Sequence, residues 1–201
     1  MAYQAPLMTS TNIRARPFTL MGWDSSDSDR QAQVYEALTA AATAACKWNN
    51  YRWWFMRKDS TFPTVSGTAS YDLTTVNSNA MADMDYPTSV WWQHSTTSRA
   101  RLDLISFDEY ADRAEAQTTG ATSTAYALYG GNFYLHPEPN AVKTISVYYM
   151  RKHGLINATT AATDFIIPGE FHRPLYVDGA CWLLRHATVD PMALYQSPAF
   201  V

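Results

Sequence analysis

Five histidines, His94, His136, His153, His172 and His186, are the side chains best suited to proton transfer or metal ligation near neutral pH. No two of them stand three or four residues apart, so no helix turn presents a pair of imidazoles. Neither HExxH nor a zinc-type Cys/His spacing occurs. Asp108 and Glu109 are adjacent and point in different directions on a helix; a place just behind Ser106, at a positive helix end, explains both. Asp83 and Asp85 could contribute to a cation site, but the twelve-residue calcium loop with its glycine and terminal Glu is missing. Gly130-Gly131 joins two strand-like runs and does not lead into a helix whose N-terminus would hold a phosphate. GxSxG and GxxxxGK[ST] are absent. The pairs left for acid–base work, as a cell-wall hydrolase would need, are His136 with Glu138 and His172 with Asp178. Nothing in the sequence brings either pair to one substrate bond. The chain reads as non-enzymatic, with no cofactor and no metal.

The aromatic strands offer a different chemistry. In "YALYGGNFYLHPEPNAVKTISVYYMR" alternate residues share a face, so Tyr126, Tyr129, Phe133 and Tyr134, with Tyr148 and Tyr149, could line a sugar-binding groove. Tyr134 and Leu135 fall on opposite faces, as do Tyr148 and Tyr149, which predicts a sheet covered on both sides. Helices would form one cover and a neighbouring subunit the other.

Composition narrows the classes. The 201 residues are 47% hydrophobic and 14% aromatic but only 16% charged. Average soluble domains carry roughly 25% charged residues, so this surface takes its polarity from Ser, Thr, Asn, Gln and Tyr, as in a secreted or virion-type protein or a subunit that hides surface in an oligomer. Seven Trp and thirteen Tyr suit either interfaces or an aromatic core. A net charge of −3 argues against binding driven by phosphate neutralisation. Arg52, Arg57 and Lys58, interleaved with Trp53, Trp54 and Phe55, could stack on single-stranded bases; the ordinary reading is a helix end whose cations complement the dipole. Cys46 and Cys181 are far apart and suit buried free thiols. Met1 to Leu20 lacks the pattern of a secretory signal, and no stretch is apolar enough for a membrane span.

The elements follow from periodicity. Residues 1–26 show no period and read as an extended arm. From Ser28, with Gln31 as a capping-box partner, a helix is predicted to run to about Phe55; Val34, Leu38, Ala41, Ala45 and Trp48 form its apolar stripe. "STFPTVSGTASYDL" predicts a hairpin around Ser66-Gly67, and residues 74–85 a loop. "TSVWWQHST" and "ARLDLISF" predict a second hairpin, turning near 96–98. Ser106 opens a short helix to about residue 117, with Gly120 as its end. The aromatic stretch then predicts a three-stranded meander. A second long helix, about Glu170 to His186, closes the pattern. The fold class expected is α+β: two long helices, N- and C-terminal, packed together, with an inserted antiparallel β-sheet region containing one short helix. The expected organisation is an arm at 1–26, one domain at 27–190 and a tail at 191–201. In that domain, 27–56 and 168–187 are helical and 57–156 is β.

Taken in order, five landmarks resemble the head-to-tail adaptor proteins of tailed bacteriophages (head completion or tail accessory proteins). They are "YRWWFMRK" after the first helix, "TFPTVSGTASYDL", "LDLISFDEYADRAE", the "YALYGGNFYLHPEPN" run through "VYYMRK", and Ile167 to Leu184 with its "IPGEFHR" start. The resemblance covers roughly residues 28–186. Two departures are the long N-terminal arm and a chain that stops soon after the last helix.

The resemblance implies a virion structural protein in the neck between capsid and tail, made in the host bacterial cytoplasm. It implies a homo-oligomeric ring, commonly twelve-fold, that docks on the portal protein, receives tail or nozzle proteins and retains the packaged genome until ejection. Double-stranded DNA would pass through its channel without specific binding, which a mildly negative chain favours. The candidate subunit and partner contacts are Arg52, Trp53, Trp54, Phe55, Arg57 and Lys58, with Phe18 and Trp23 in the arm. The alternative is a carbohydrate-binding or tail-associated recognition module built on the aromatic strands.

Overall fold

The computed structural model describes residues 8–48, 53–75, 81–116, 119–120 and 122–186. The chain divides into two compact units: residues 1–56 with 152–201, and residues 57–151.

The first unit is helical. Helix α1 (Ser10–Met21) starts where Thr9 accepts a hydrogen bond from the Asn12 N–H, 3.2 Å away, and stops at Gly22, whose positive φ of 67° closes the last turn. The segment expected to be an extended arm therefore contains a helix. Its buried residues, Ile13, Pro17 and Phe18, are too few to announce a stripe, and one of them is a proline. Helix α2 (Ser28–Lys47) is capped by Asp27, not Ser28: its Oδ1 accepts from the N–H groups of Asp29 and Arg30. Val34, Leu38, Ala41 and Ala45 are buried as the stripe requires. The helix ends at Lys47 instead of near Phe55, and a 3₁₀ turn holds Trp54–Met56.

After residue 151 the chain returns to this unit. Arg14 fastens it, donating through Nη1 to the carbonyls of Ala158 (2.6 Å) and Thr160 (2.9 Å). Thr39 on α2 accepts from the Ile156 N–H at 2.9 Å. A wide π-helical stretch, His172–Asp178, then runs into α4 (Gly179–Arg185). Pro174 removes one donor, and the Gly179 N–H reaches back to the Pro174 carbonyl, the five-residue step of a π turn.

The second unit is a β-sandwich. Its strands are β1 (Arg57–Pro63), β2 (Ser70–Asp72), β3 (Met84–Gln93), β4 (Arg99–Arg101), β5 (Asp103–Leu104), β6 (Thr119–Gly120), β7 (Ala125–Tyr129), β8 (Asn132–His136), β9 (Glu138–Pro139) and β10 (Thr144–Arg151). One sheet has the order β1-β10-β3-β4 and is antiparallel; the other is β2-β8-β7-β5, with β5 parallel to β7. β6 and β9 form a small parallel pair. Phe62, Val90, Trp92, Ile145 and Val147 face inward from the first sheet and meet Tyr71, Tyr126, Phe133 and Leu135 of the second. Tyr126 and Phe133 stack with ring centroids 4.8 Å apart. Helix α3 (Phe107–Glu115), capped by Ser106 Oγ accepting from the Glu109 N–H, packs on the outer face of the second sheet.

These findings correct the expected fold class. The chain is α+β with four helices and two four-stranded sheets among the described residues; it is not two long terminal helices around a small inserted sheet. Two misread connections are responsible. Gly67, at φ 74°, does turn the chain, but β1 and β2 on either side pair with β10 and β8 and enter different sheets. The expected three-stranded meander is a two-stranded hairpin: β7 and β8 join through Gly130 and Gly131, both with positive φ as a tight hairpin turn demands, while β10 lies in the other sheet. Gly120 sits in β6 and does not end α3, which stops at Glu115.

Candidate assembly surfaces

The residues singled out near position 53 separate by environment. Trp53 lies between Trp48 and Phe55, ring centroids 6.4 and 5.6 Å away, and its indole N–H donates to the Ala45 carbonyl at 3.0 Å. Phe55 is buried, whereas Trp54 stands edge-on to it and is 68% exposed. Trp54 is therefore the projecting ring of this turn, with Phe55 edge-on behind it. Arg52 lies outside the described residues. Phe18 is 5% exposed and belongs to the core of the helical unit. Trp23 is half-buried beneath the Arg30 guanidinium, 4.4 Å from its ring centroid.

The helical unit carries one further apolar surface. A shallow groove of about 650 Å³ runs along α2, lined by Tyr35, Thr39, Ala40 and Thr43, with Leu155 on its far wall. Leu155 is 83% exposed.

In the β unit, Lys58 binds the Asp83 carboxylate at 3.0 Å, and the Tyr149 hydroxyl donates to the other oxygen of that carboxylate at 2.9 Å. Burial, and then Asp83, push the Tyr149 hydroxyl well above the usual phenol range. Arg57 is exposed at the start of β1.

The two outer faces of the sandwich differ. On the β2-β8-β7-β5 sheet, Phe107 stacks on Tyr129 at 4.3 Å and Tyr110 leans on Tyr134 at 5.1 Å, so α3 covers the face. Burial, and then the charge of Arg113, hold His136 below its ordinary pKa there. Helix α3 turns a stripe of carboxylates outward: Asp108, Asp112 and Glu115, at steps of four and three, are all exposed.

On the β1-β10-β3-β4 sheet the outward rows are Asp59–Tyr148–Ser89 and Thr61–Ser146–Trp91–Arg101, with Arg57 and Arg99 at the ends. The Arg99 guanidinium lies 4.6 Å from the Trp91 ring centroid and donates to the Tyr148 hydroxyl at 3.2 Å. Sequence reading passed over this group, although "RAR" on a strand puts two cations on one face.

The rings proposed for a sugar groove are mostly spent on packing. Tyr126, Phe133 and Tyr149 are buried, and Tyr134 lies under α3. Tyr129 and Tyr148 are exposed, on different sheets. His172 and Asp178, offered as an acid–base pair, have other partners. His172 contacts the carbonyls of Ile167 and Met8, and Asp178 pairs with Arg173. No group of three or more His, Cys, Asp or Glu among the described residues is placed to hold a metal ion.

Comparison with known families decides between assembly and recognition. Residues 8–197 match the family described as SU10 adaptor protein. The chain belongs to the SU10 adaptor protein family. This is a phage head-to-tail adaptor family, so the surfaces above belong to a phage adaptor protein. The match begins before α1 and extends past α4, and so takes in segments beyond the 28–186 on which the resemblance was read. No curated protein matches the chain. No helix of the adaptor's described residues is long and apolar enough to cross a membrane.

Proposed function

We propose that this adaptor is a non-enzymatic subunit of a ring beneath the portal, in the neck of the virion. The ring prolongs the DNA channel and gives tail or nozzle proteins their docking site. The match to the adaptor family over residues 8–197 carries this reading. Two features support it: a chain with only 16% charged residues, and apolar side chains such as Trp54 and Leu155 held open to solvent. A ring of identical contacts is heterologous and requires two complementary surfaces per subunit. The net charge of −3 suits a channel through which DNA passes without being retained. In this reading the helical unit, with α1 in its core, and the β unit form the adaptor body, and Trp53, Trp54 and Phe55 belong to a contact region led by the exposed Trp54 ring.

Native mass spectrometry of the protein mixed with the portal ring of the same virus tests the proposal. The expected complex gains about one adaptor per portal chain, and Trp54→Ala lowers its yield while the variant melts like the parent. A folded protein that adds nothing to the portal ring defeats it.

A further inference from the structure

We propose that the outer face of the β1-β10-β3-β4 sheet, built on Arg99, Arg101, Trp91 and Tyr148, docks the acidic stripe of α3 from a second copy of this chain. The inference rests on the ring reading above and adds to it the surfaces through which subunits meet.

Three observations converge. The first is composition: Trp, Tyr and Arg are the residues that dominate binding energy at interfaces, and here they are neighbours on one sheet face, with Arg99, Arg101 and Tyr148 exposed and Trp91 half-buried. The second is preorganisation. Arg99 is held between the Trp91 ring and the Tyr148 hydroxyl, so its planar fork is already ordered, and less freedom is lost when it takes a carboxylate. Arg101 is exposed two residues on along the same edge strand and forms no ion pair among the described residues. β4 is short and cationic, which protects a sheet edge from indiscriminate strand pairing while leaving its side chains available.

The third observation is where the complementary charge lies. Asp108, Asp112 and Glu115 form one exposed stripe of α3, and none of them is ion-paired among the described residues; Arg113 is bound to Glu109. Helix α3 covers the outer face of one sheet, and the arginines stand on the outer face of the other, with the shared core between them. Cationic and acidic patches thus point away from opposite sides of the same unit. A chain so arranged cannot satisfy itself, but each copy can offer its sheet face to one neighbour and its helix to the next. That is a heterologous contact, which closes into a ring when the rotation allows. Asp59, a carboxylate on the cationic face, is on the opposite edge strand β1, and Arg57 shares that strand and face.

Charge exchange tests this with the whole protein. Arg99→Glu with Arg101→Glu makes one variant and Asp108→Arg with Asp112→Arg another; all four side chains are exposed, and thermal melts confirm that each variant folds. Each alone is expected to lose most of the ring formed on the portal, and of any oligomer of the free chain seen by sedimentation. An equimolar mixture should regain it, because each variant then meets its complement. Raising the salt concentration should weaken the wild-type contact. Arg101→Cys and Asp112→Cys, placed in separate chains, should form an intersubunit disulfide only when mixed.

Variants that assemble like the parent overturn the proposal. So does a loss that mixing does not rescue, including one in which the sheet face proves to bind double-stranded DNA. A wild-type chain that forms oligomers but ignores the portal breaks the portal reading alone. A wild-type chain that never self-associates, with or without the portal, breaks both.

Discussion

The two sheets of the β unit contribute alternating apolar residues to a single core, yet their outer faces are finished in different ways. On β7 and β8 the outward ring of Tyr134 lies against Phe107 and Tyr110 of α3, while Tyr129 stacks on Phe107 and keeps its other side in solvent, so α3 packs over part of this face. On β3 and β10 the outward residues Trp91 and Tyr148 meet Arg99 and solvent. The first arrangement completes a fold internally. The second holds large side chains in order while leaving them partly open to solvent. The adjacent residues Trp91 and Trp92 show the contrast within one dipeptide: Trp92 is fully buried, whereas Trp91 carries the guanidinium of Arg99.

Trp92→Ala should show the largest effect. Truncating a fully buried Trp removes its transfer energy and leaves a cavity, a loss of about 3–5 kcal/mol, visible as a large drop in the denaturant midpoint. Trp91→Ala should cost well under that and should reduce assembly instead. Equal losses of stability from the two substitutions would mean that the outward face is part of the fold after all, and the contrast between the sheets would collapse.

Phe107→Ala probes the covered face. It removes the stack on Tyr129 and the edge contact with Tyr134, each worth about 0.5–1.5 kcal/mol beyond area burial. Hydrogen exchange should then rise along α3 more than along β3 and β10. A uniform rise across both sheets would show that α3 is not a cover for one face but a part of the common core.

What could be read from the sequence was local. Ser106 caps α3 as its position before an apolar–acidic run suggests, the Gly130-Gly131 turn joins β7 to β8, and the turn near 96–98 joins β3 to β4. Each signal lies within a few residues of its effect. The partners of β1 and β2 were not legible. Pairing β1 with β10 depends on chain segments far apart, and the period of two is the same whichever strand lies alongside. Helix α1 escaped for a different reason: Pro17 lies inside it, and its burial comes from three residues, so propensity and stripe were both weak. Among the candidate contacts, the aromatic run at 53–55 was visible as composition, but only the fold decides that Trp54 projects while Phe55 is buried. The outward arginines of β4 needed a face to be counted on, and no face exists until the strand has a register.

The smallest expected effect is a dependence on pH that belongs to the covered face. His136 lies on the outward side of β8, edge-on to Tyr110, and burial followed by the charge of Arg113 keeps its pKa below the ordinary value. The unfolded chain therefore binds a proton more readily than the folded one. The stabilisation is fully present above the unfolded value of about 6.5 and is lost as the pH falls towards the folded value. Denaturant midpoints measured from about pH 7.5 down to about pH 5.5 should fall, and His136→Gln should remove part of that slope. Because the ring is only partly covered, the change should be modest. The readout that matters is its location: hydrogen exchange in acid should loosen α3 and β8 before β3 and β4. Loosening that begins at β3 and β4 would place the pH-sensitive group on the cationic face and reverse the assignment of which face the fold depends on.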